Sequence, residues 1–369
     1  MSQVELTTLG KSCEFFNGKA HEKSIDENGK YIVVNSKFIS SEGKSYKRTN
    51  EQMFPLYKGD IVMVMSDVPN GKALAKCFII DKDDTYSLNQ RICCIRSKQF
   101  DTKYLYYQLN RHEHFLAFNN GENQTNLRKD DILACPLIKP SMEEQKRMVS
   151  ELDIAFSEME KAYNNLEKNI TNSIDLFKSE LYSVFTPANE GEWVQTKLGD
   201  AIEIINGKNQ QAVQSENGKY PILGSAGNLM GLANDFICES GTTIIGRKGN
   251  ISKPIYVNER FWNVDTAFGF YPKNGMQNKF VYFLCLNIDF EKYNRGTTIP
   301  SLVKTELKNI IIRYPKSEYL QKSIIRKLET LQDKSISLVE LYKTKLLKLE
   351  ELKSGVLKRA FENELIEAE

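Results

Sequence analysis

TTLGKSCEFFNGKAHEKSIDENGKY, Thr7 to Tyr31, returns later in the chain as TKLGDAIEIINGKNQQAVQSENGKY, Thr196 to Tyr220. A single ungapped offset of 189 positions lays Leu9-Gly10 on Leu198-Gly199 and Glu14 on Glu203. The same offset lays Asn17-Gly18-Lys19 on Asn206-Gly207-Lys208, and Glu27 to Tyr31 on Glu216 to Tyr220. Chance does not give identity at this density. The period is far too long for a solenoid, so the chain is one large duplication.

The copies also end alike. KYLYYQL (Lys103 to Leu109) resembles KFVYFLC (Lys279 to Cys285), and GENQTNLRKDDI (Gly121 to Ile132) resembles GTTIPSLVKTEL (Gly296 to Leu307). Each is followed by a proline-bearing apolar stretch and then by a long charged segment. In the first such segment apolar residues fall at Leu152, Phe156, Met159, Tyr163, Leu166, Ile170, Ile174, Phe177, Leu181 and Val184. Fours and threes alternate, with one slip after Ile170, which is a heptad seam. The second segment repeats it with Leu328, Leu331, Val339, Tyr342, Leu346, Leu349, Leu352 and Val356, and Ser335 fills one seam position. A helix of this length with one apolar stripe must bury the stripe, and the economical partner is the other copy, running antiparallel.

Composition sets the outer limits. The 369 residues suggest two to three domains, and 41% hydrophobic with 10% aromatic residues supply real cores. The net charge of +2 does not announce a nucleic-acid binder, so any basic surface is local. Seven scattered cysteines without a CxxC read as free thiols of a reducing cytoplasm. The start, MSQVELTTLGKS, does not read as a signal peptide, and no apolar run reaches membrane-spanning length. The expectation is a cytoplasmic protein without a membrane partner.

Catalytic patterns do not emerge. There is no GxxxxGK[ST] loop and no HExxH helix. No Asn-Pro-Pro or Asp-Pro-Pro followed by an aromatic marks an amino-methyltransferase. His112 and His114 in RHEHF diverge on a helix and do not make a metal pair. Asp81, Asp83 and Asp84 read as a solvated turn. The expectation is no catalytic centre, no metal and no cofactor on this chain.

The order of parts resembles the specificity subunit of type I restriction-modification enzymes. The residues that carry the resemblance are PLIKPSMEEQKRMVSELD (Pro136 to Asp153) with its helix, GRKGNISKPIYVNERFWNVDTAF (Gly246 to Phe268), and the duplicated LG…NGK…NGKY opening. The second helix start, KSEYLQKSII, lacks the usual Glu-Gln pair but keeps Gln321.

The resemblance implies an α+β fold. Two mixed α/β target recognition domains are each followed by a long helix, and the helices pair as an antiparallel coiled coil with pseudo-twofold symmetry. The expected boundaries are 1–142 for the first recognition domain, 143–186 for the first long helix and 187–192 for a linker. The second recognition domain is then 193–317 and the second long helix 318–364. The resemblance further implies double-stranded DNA with a split site as ligand. Two modification (methyltransferase) subunits and restriction/motor subunits are the implied partners, and they bring S-adenosylmethionine, ATP and Mg.

Base reading by such domains requires cations for phosphates and forked donors for base edges. In the second reader, IIGRKGNISKP (Ile244 to Pro254) offers Arg247 as the fork and Lys248 and Lys253 for phosphates, with Gly246 and Gly249 allowing close approach. A plain surface turn is the ordinary alternative. Lys208, Asn209, Gln210 and Gln211 form a second polar cluster, and Thr297, Thr298 and Ser301 offer backbone contacts. In the first reader the matching candidates are Lys19, His21 and Lys23, with Lys44, Lys47 and Arg48 around Tyr46. Ser66, Asp67, Asn70 and Lys72 stand where the second copy has GRKG. Two rivals keep the architecture and change the role: a specificity subunit for a fused nuclease-methyltransferase, and a coiled-coil adaptor with no DNA role. A nuclease with an atypical centre is a weaker third.

Overall fold

The computed structural model describes residues 5–69, 71–186 and 193–368. The expected linker at 187–192 and the candidate Asn70 lie outside the described residues. The chain divides into two compact units, residues 1–164 with 346–369, and residues 165–345. Both divisions fall inside long helices, Met142–Phe185 (44 residues) and Glu318–Ala368 (51 residues).

The duplication is visible strand by strand. In the first unit a four-stranded antiparallel sheet runs Glu14–Asn17, Ile92–Arg96, Ile61–Val64, Cys77–Ile79. In the second the order is Ile202–Asn206, Ala267–Pro272, Thr242–Gly246, Ile255–Val257. A three-stranded sheet accompanies each. It is Lys47–Thr49, Tyr31–Val34, Tyr86–Leu88 in the first unit and Leu229–Ala233, Tyr220–Leu223, Trp262–Asn263 in the second. In both the last pair is parallel. Each unit also zips its entry strand onto its exit strand, Glu5–Thr8 on Pro136–Lys139 and Trp193–Lys197 on Ile311–Pro315. Sheets this small, with neighbours mostly antiparallel and helices set apart, make the fold α+β.

The central strands Ile61–Val64 and Thr242–Gly246 are wholly buried, because both faces are covered; the first is apolar throughout, and the second opens on two buried threonines, Thr242 and Thr243. The first unit packs Ile61, Met63, Ile95, Tyr104 and Leu105 with Met148 of its long helix, and Phe361 stands edge-on to Tyr104. The second packs Phe268, Phe270, Phe280 and Phe283 with Leu181 and Phe185 of one helix and Ile324, Ile325 and Leu328 of the other. Each mixed domain is thus sealed by pieces of both helices, which is why the compact units divide within the helices.

Both long helices start on the same device. Ser141 and Ser317 cap them, their hydroxyls accepting from Glu144 N and Leu320 N. Four residues on, Gln145 and Gln321 are each 1% exposed. Gln145 accepts from Asp101 N at 2.8 Å and donates to the Pro140 carbonyl at 3.0 Å. Gln321 accepts from Gln277 N at 2.8 Å and donates to the Pro315 carbonyl at 2.9 Å. The missing Glu-Gln pair at the second start therefore costs no contact of this clamp. A second tie is duplicated as well: Lys103 pairs with Asp153, and Lys279 pairs with Glu329.

Within the second unit Glu180 meets Lys327 and Ser173 meets Ser335, so rising numbers on one helix face falling numbers on the other and the pairing is antiparallel. Within the first unit Lys353 lies over the Phe156 ring at 5.3 Å. Leu152, Phe156, Met159, Tyr163, Leu166, Ile170, Leu328, Val339, Tyr342, Leu346 and Leu349 are all buried or half-buried. Two seam positions need correction. The seam does not slip after Ile170: it runs on through Ser173, 8% exposed, while Ile174 is 39% exposed. Leu352 is 53% exposed and stands off the seam. The Ser173 hydroxyl donates back to Asn169 O, and the Ser173 carbonyl accepts from the Ser335 hydroxyl at 2.8 Å. Among the described residues no helix is long and apolar enough to cross a membrane.

Candidate DNA interface

In the second unit the strand Thr242–Gly246 runs out into Arg247, Lys248 and Gly249, all exposed. This segment is no free turn. Arg247 N and Lys248 N both donate to the Thr266 carbonyl, at 2.8 and 3.1 Å. From the other side, Leu302 N donates to Arg247 O and Gly249 N to Pro300 O, both at 2.9 Å. Asn294 Oδ1 accepts from Gly296 N and Ser301 N, which closes the GTTIPS loop beneath it. A backbone pinned on two sides points its side chains outward from a fixed base. The Arg247 guanidinium makes one long bond to Asp265 O, 3.4 Å, and stands 5.9 Å from the Phe268 ring centre. Lys248 and Lys253 are exposed, as are Thr297 and Thr298. Ser301 is half-buried and bridges Lys248 through the backbone. The close approach expected at Gly246 is internal: a Cβ there would stand 2.1 Å from Asn250 O. Gly249 is needed for its φ of +79°, in open space.

The first unit builds the same loop pair from other residues. Leu127 N donates to Met65 O at 2.8 Å, as Leu302 N does to Arg247 O, and Ser66-Asp67 pairs with Thr125-Asn126. Asp67 is not available to a ligand: its carboxylate accepts from Val68 N, Ala73 N and Leu74 N and ties its own loop. Lys72 is exposed, and its carbonyl accepts from Arg111. Opposite lies a group that the sequence reading passed over. Asn120, Asn123, Gln124 and Asn126 line a cleft of about 340 Å³ with Phe118 and Arg128. Gln124 Nε2 donates to Ser66 Oγ at 2.8 Å, joining the two loops. The run of amides in NNGENQTN was the available signal, since amide side chains bridge adenine edges.

The Asn-Gly-Lys loops are tied next to these pairs: Gly207 N donates to Ala267 O beside Arg247 N on Thr266 O, and Gly18 N to Ile92 O beside Met65 N on Arg91 O. Lys19, Lys23, Lys208 and Asn209 are exposed, and Gln210 is half-buried. Asn209 Oδ1 accepts from Gln211 N and is partly spent on its own turn. His21 must be withdrawn as a DNA contact. It is fully buried, with Nδ1 2.7 Å from Lys19 O and Nε2 2.8 Å from Ser87 Oγ. Lys47 is exposed on an edge strand, whereas Arg48 is half-buried, donates to Gly29 O at 3.2 Å and lies 5.2 Å from the Tyr46 ring centre. Arg48 therefore braces the Asp26–Gly29 turn rather than standing free. His112 and His114 are absorbed locally, His112 as a helix cap through Nδ1 and His114 through the Asp131 carbonyl.

Comparison with solved structures agrees in fold. A chain described under the structural basis of complex assembly and conformational transition of the type I R-M system superposes with a TM-score of 0.80 at 16% identity, covering 97% of both chains. The HsdS subunit from Thermoanaerobacter tengcongensis gives 0.60 at 16% identity, covering 97% of this chain and 96% of that one. No curated protein sequence matches the chain. The family model for the type I restriction modification DNA specificity domain matches twice, over residues 1–174 and 190–350. Two matches, one on each copy of the duplication, cover most of the sequence, and the chain belongs to the family of type I restriction modification DNA specificity proteins.

Proposed function

We propose that this specificity chain reads a split duplex site, one half with each unit, through the docked loop pairs Met65–Asp67 with Gly121–Leu127 and Arg247–Lys253 with Gly296–Leu302. The observation that supports it is one backbone pairing carrying two different sets of side chains, exposed but for the half-buried Ser66. Met65 and Leu127 hold amides and a serine in the first unit, and Arg247 and Leu302 hold cations and threonines in the second. Two readers with one frame and different side chains suit two different half-sites. Arg247 acts as the fork for a base edge, with Lys248, Lys253, Lys208, Lys19 and Lys23 on phosphates.

The chain itself performs no chemistry in this reading. Two modification subunits methylate the DNA with S-adenosylmethionine, and restriction/motor subunits use ATP and Mg. The paired helices hold the readers and receive the modification subunits. The test is an exchange of the loop pairs between the units, followed by base-resolved mapping of methylation. The half-site sequences should trade places. Unchanged half-sites in an active complex would remove these loops from base reading.

A further inference from the structure

The two Asn-Gly-Lys loops are anchored at the same atom by different chemistry. Lys19 N donates to Leu88 O and Lys208 N to Asn263 O, both at 2.9 Å. Gly18 and Gly207 are pressed onto the backbone beneath, where a Cβ would stand 2.1 Å from Asn89 O and 1.8 Å from Val264 O. What differs is the hold on the lysine carbonyl. In the second unit the Trp262 indole donates straight to Lys208 O at 3.0 Å. In the first unit Ser87 takes the place of Trp262, for Ser87 pairs with Val33 as Trp262 pairs with Ile222, and those two residues match across the duplication. A serine cannot reach so far, and His21 bridges the gap. A carbonyl only accepts, so Nδ1 carries the proton. Nε2 then accepts from the Ser87 hydroxyl, whose oxygen also takes Phe54 N at 3.3 Å. The residue matching His21 in the second unit is Gln210, half-buried and absent from this anchor.

We propose that the buried His21–Ser87 pair and Trp262 are exchangeable positioning devices. Each fixes the carbonyl of an exposed lysine, and so the angle at which its loop meets one half of the DNA site. The inference rests on the proposed reading of DNA by the two units. His21 touches no DNA and acts through Lys19.

The experiment uses the full chain assembled with its modification subunits, and reads methylation of each half-site separately. His21→Phe fills the space and makes neither bond. Methylation in the half read by the first unit should fall about tenfold, the scale of one lost buried hydrogen bond, with the other half unchanged. His21→Gln together with Ser87→Trp installs the second unit's own anchor and should restore that half. A parental ratio in His21→Phe overturns the inference, as does equal loss from both halves. Should His21→Phe not assemble, the double variant decides: restored half-site methylation supports exchangeable anchors, and failure to restore overturns them. Lys19→Ala separates the two levels. If it leaves both halves unchanged, the loop does not meet DNA and the underlying reading of this loop fails. If it weakens one half while His21→Phe does not, only the anchor is wrong.

Discussion

At the scale of single residues the cations differ in how they are held, and this sets what each variant should do. Arg247 sits on a backbone fixed from two sides and has only a 3.4 Å bond of its own, so its guanidinium can fork to a base edge at small cost. Arg247→Ala should weaken binding to the cognate site by about 1–3 kcal/mol and relax base choice in one half only. Methylation with parental sequence preference in both halves would return Arg247 to an ordinary surface side chain. Lys253→Ala should weaken binding to all sequences alike and lower the salt slope by about one unit, as titrations at several salt concentrations would show. His112 makes the stability depend on pH. Its pKa is lowered from 6.5, first by burial and next by His114, against the pull of Glu113. The unfolded chain therefore binds more protons below that value, and stability falls as pH drops through 6.5 toward the lower folded pKa. His112→Asn keeps a capping side chain without the titration. Its urea midpoint should fall less than the parent's between about pH 7.5 and about pH 5.5. An equal fall would show that His112 carries none of the acid sensitivity.

At the scale of elements, what the sequence disclosed was whatever repeats for a backbone reason. Gly18 and Gly207 admit no side chain, Ser141 and Ser317 cap, and Gln145 and Gln321 clamp, so those positions recur and can be read by eye. What it concealed depends on partners far along the chain. His21 looks like a surface residue of a polar loop until Ser87, 66 residues away, is brought beneath it. Asp67 looks like a reader until its carboxylate is found tying Ala73 N and Leu74 N. Ser173 was hidden for another reason: a search for apolar residues steps past a serine, although a small residue fits a close approach of two helices. The glutamine clamp gives a sharp test. Gln321→Leu leaves the Gln277 N–H and the Pro315 carbonyl unpaired in a buried site, costing about 1–3 kcal/mol, and Gln145→Leu should cost a similar amount. Chemical denaturation reads both. A loss below about 0.5 kcal/mol in either would mean that water replaces the clamp and that the helix starts are held by their apolar contacts.

At the scale of the whole molecule the proposed role turns on length. The first long helix has 44 residues, about 66 Å at 1.5 Å per residue, and its seam keeps the four-three alternation without a slip as far as Phe177. An inserted heptad therefore preserves the seam, whereas an insertion of four residues offsets the stripe by about 40° and unwinds the pairing locally. Within the second unit Ile170 lies about one helical turn from the Ser173–Ser335 layer, and Leu338 lies about one turn beyond Ser335 on the other helix. Seven residues of strong helix formers placed after Ile170 and seven after Leu338 lengthen both helices together by about 10 Å. Neither set of reading loops is touched, so the half-site sequences should remain. The unread spacer between them should grow by up to about three base pairs at ~3.4 Å each, fewer if the helices run oblique to the DNA. Genome-wide mapping of methylated bases reads both quantities at once. A parental spacer at full activity would show that the helices do not set the distance. A changed half-site sequence would show that base reading extends beyond the loop pairs into the helical segments that seal each unit.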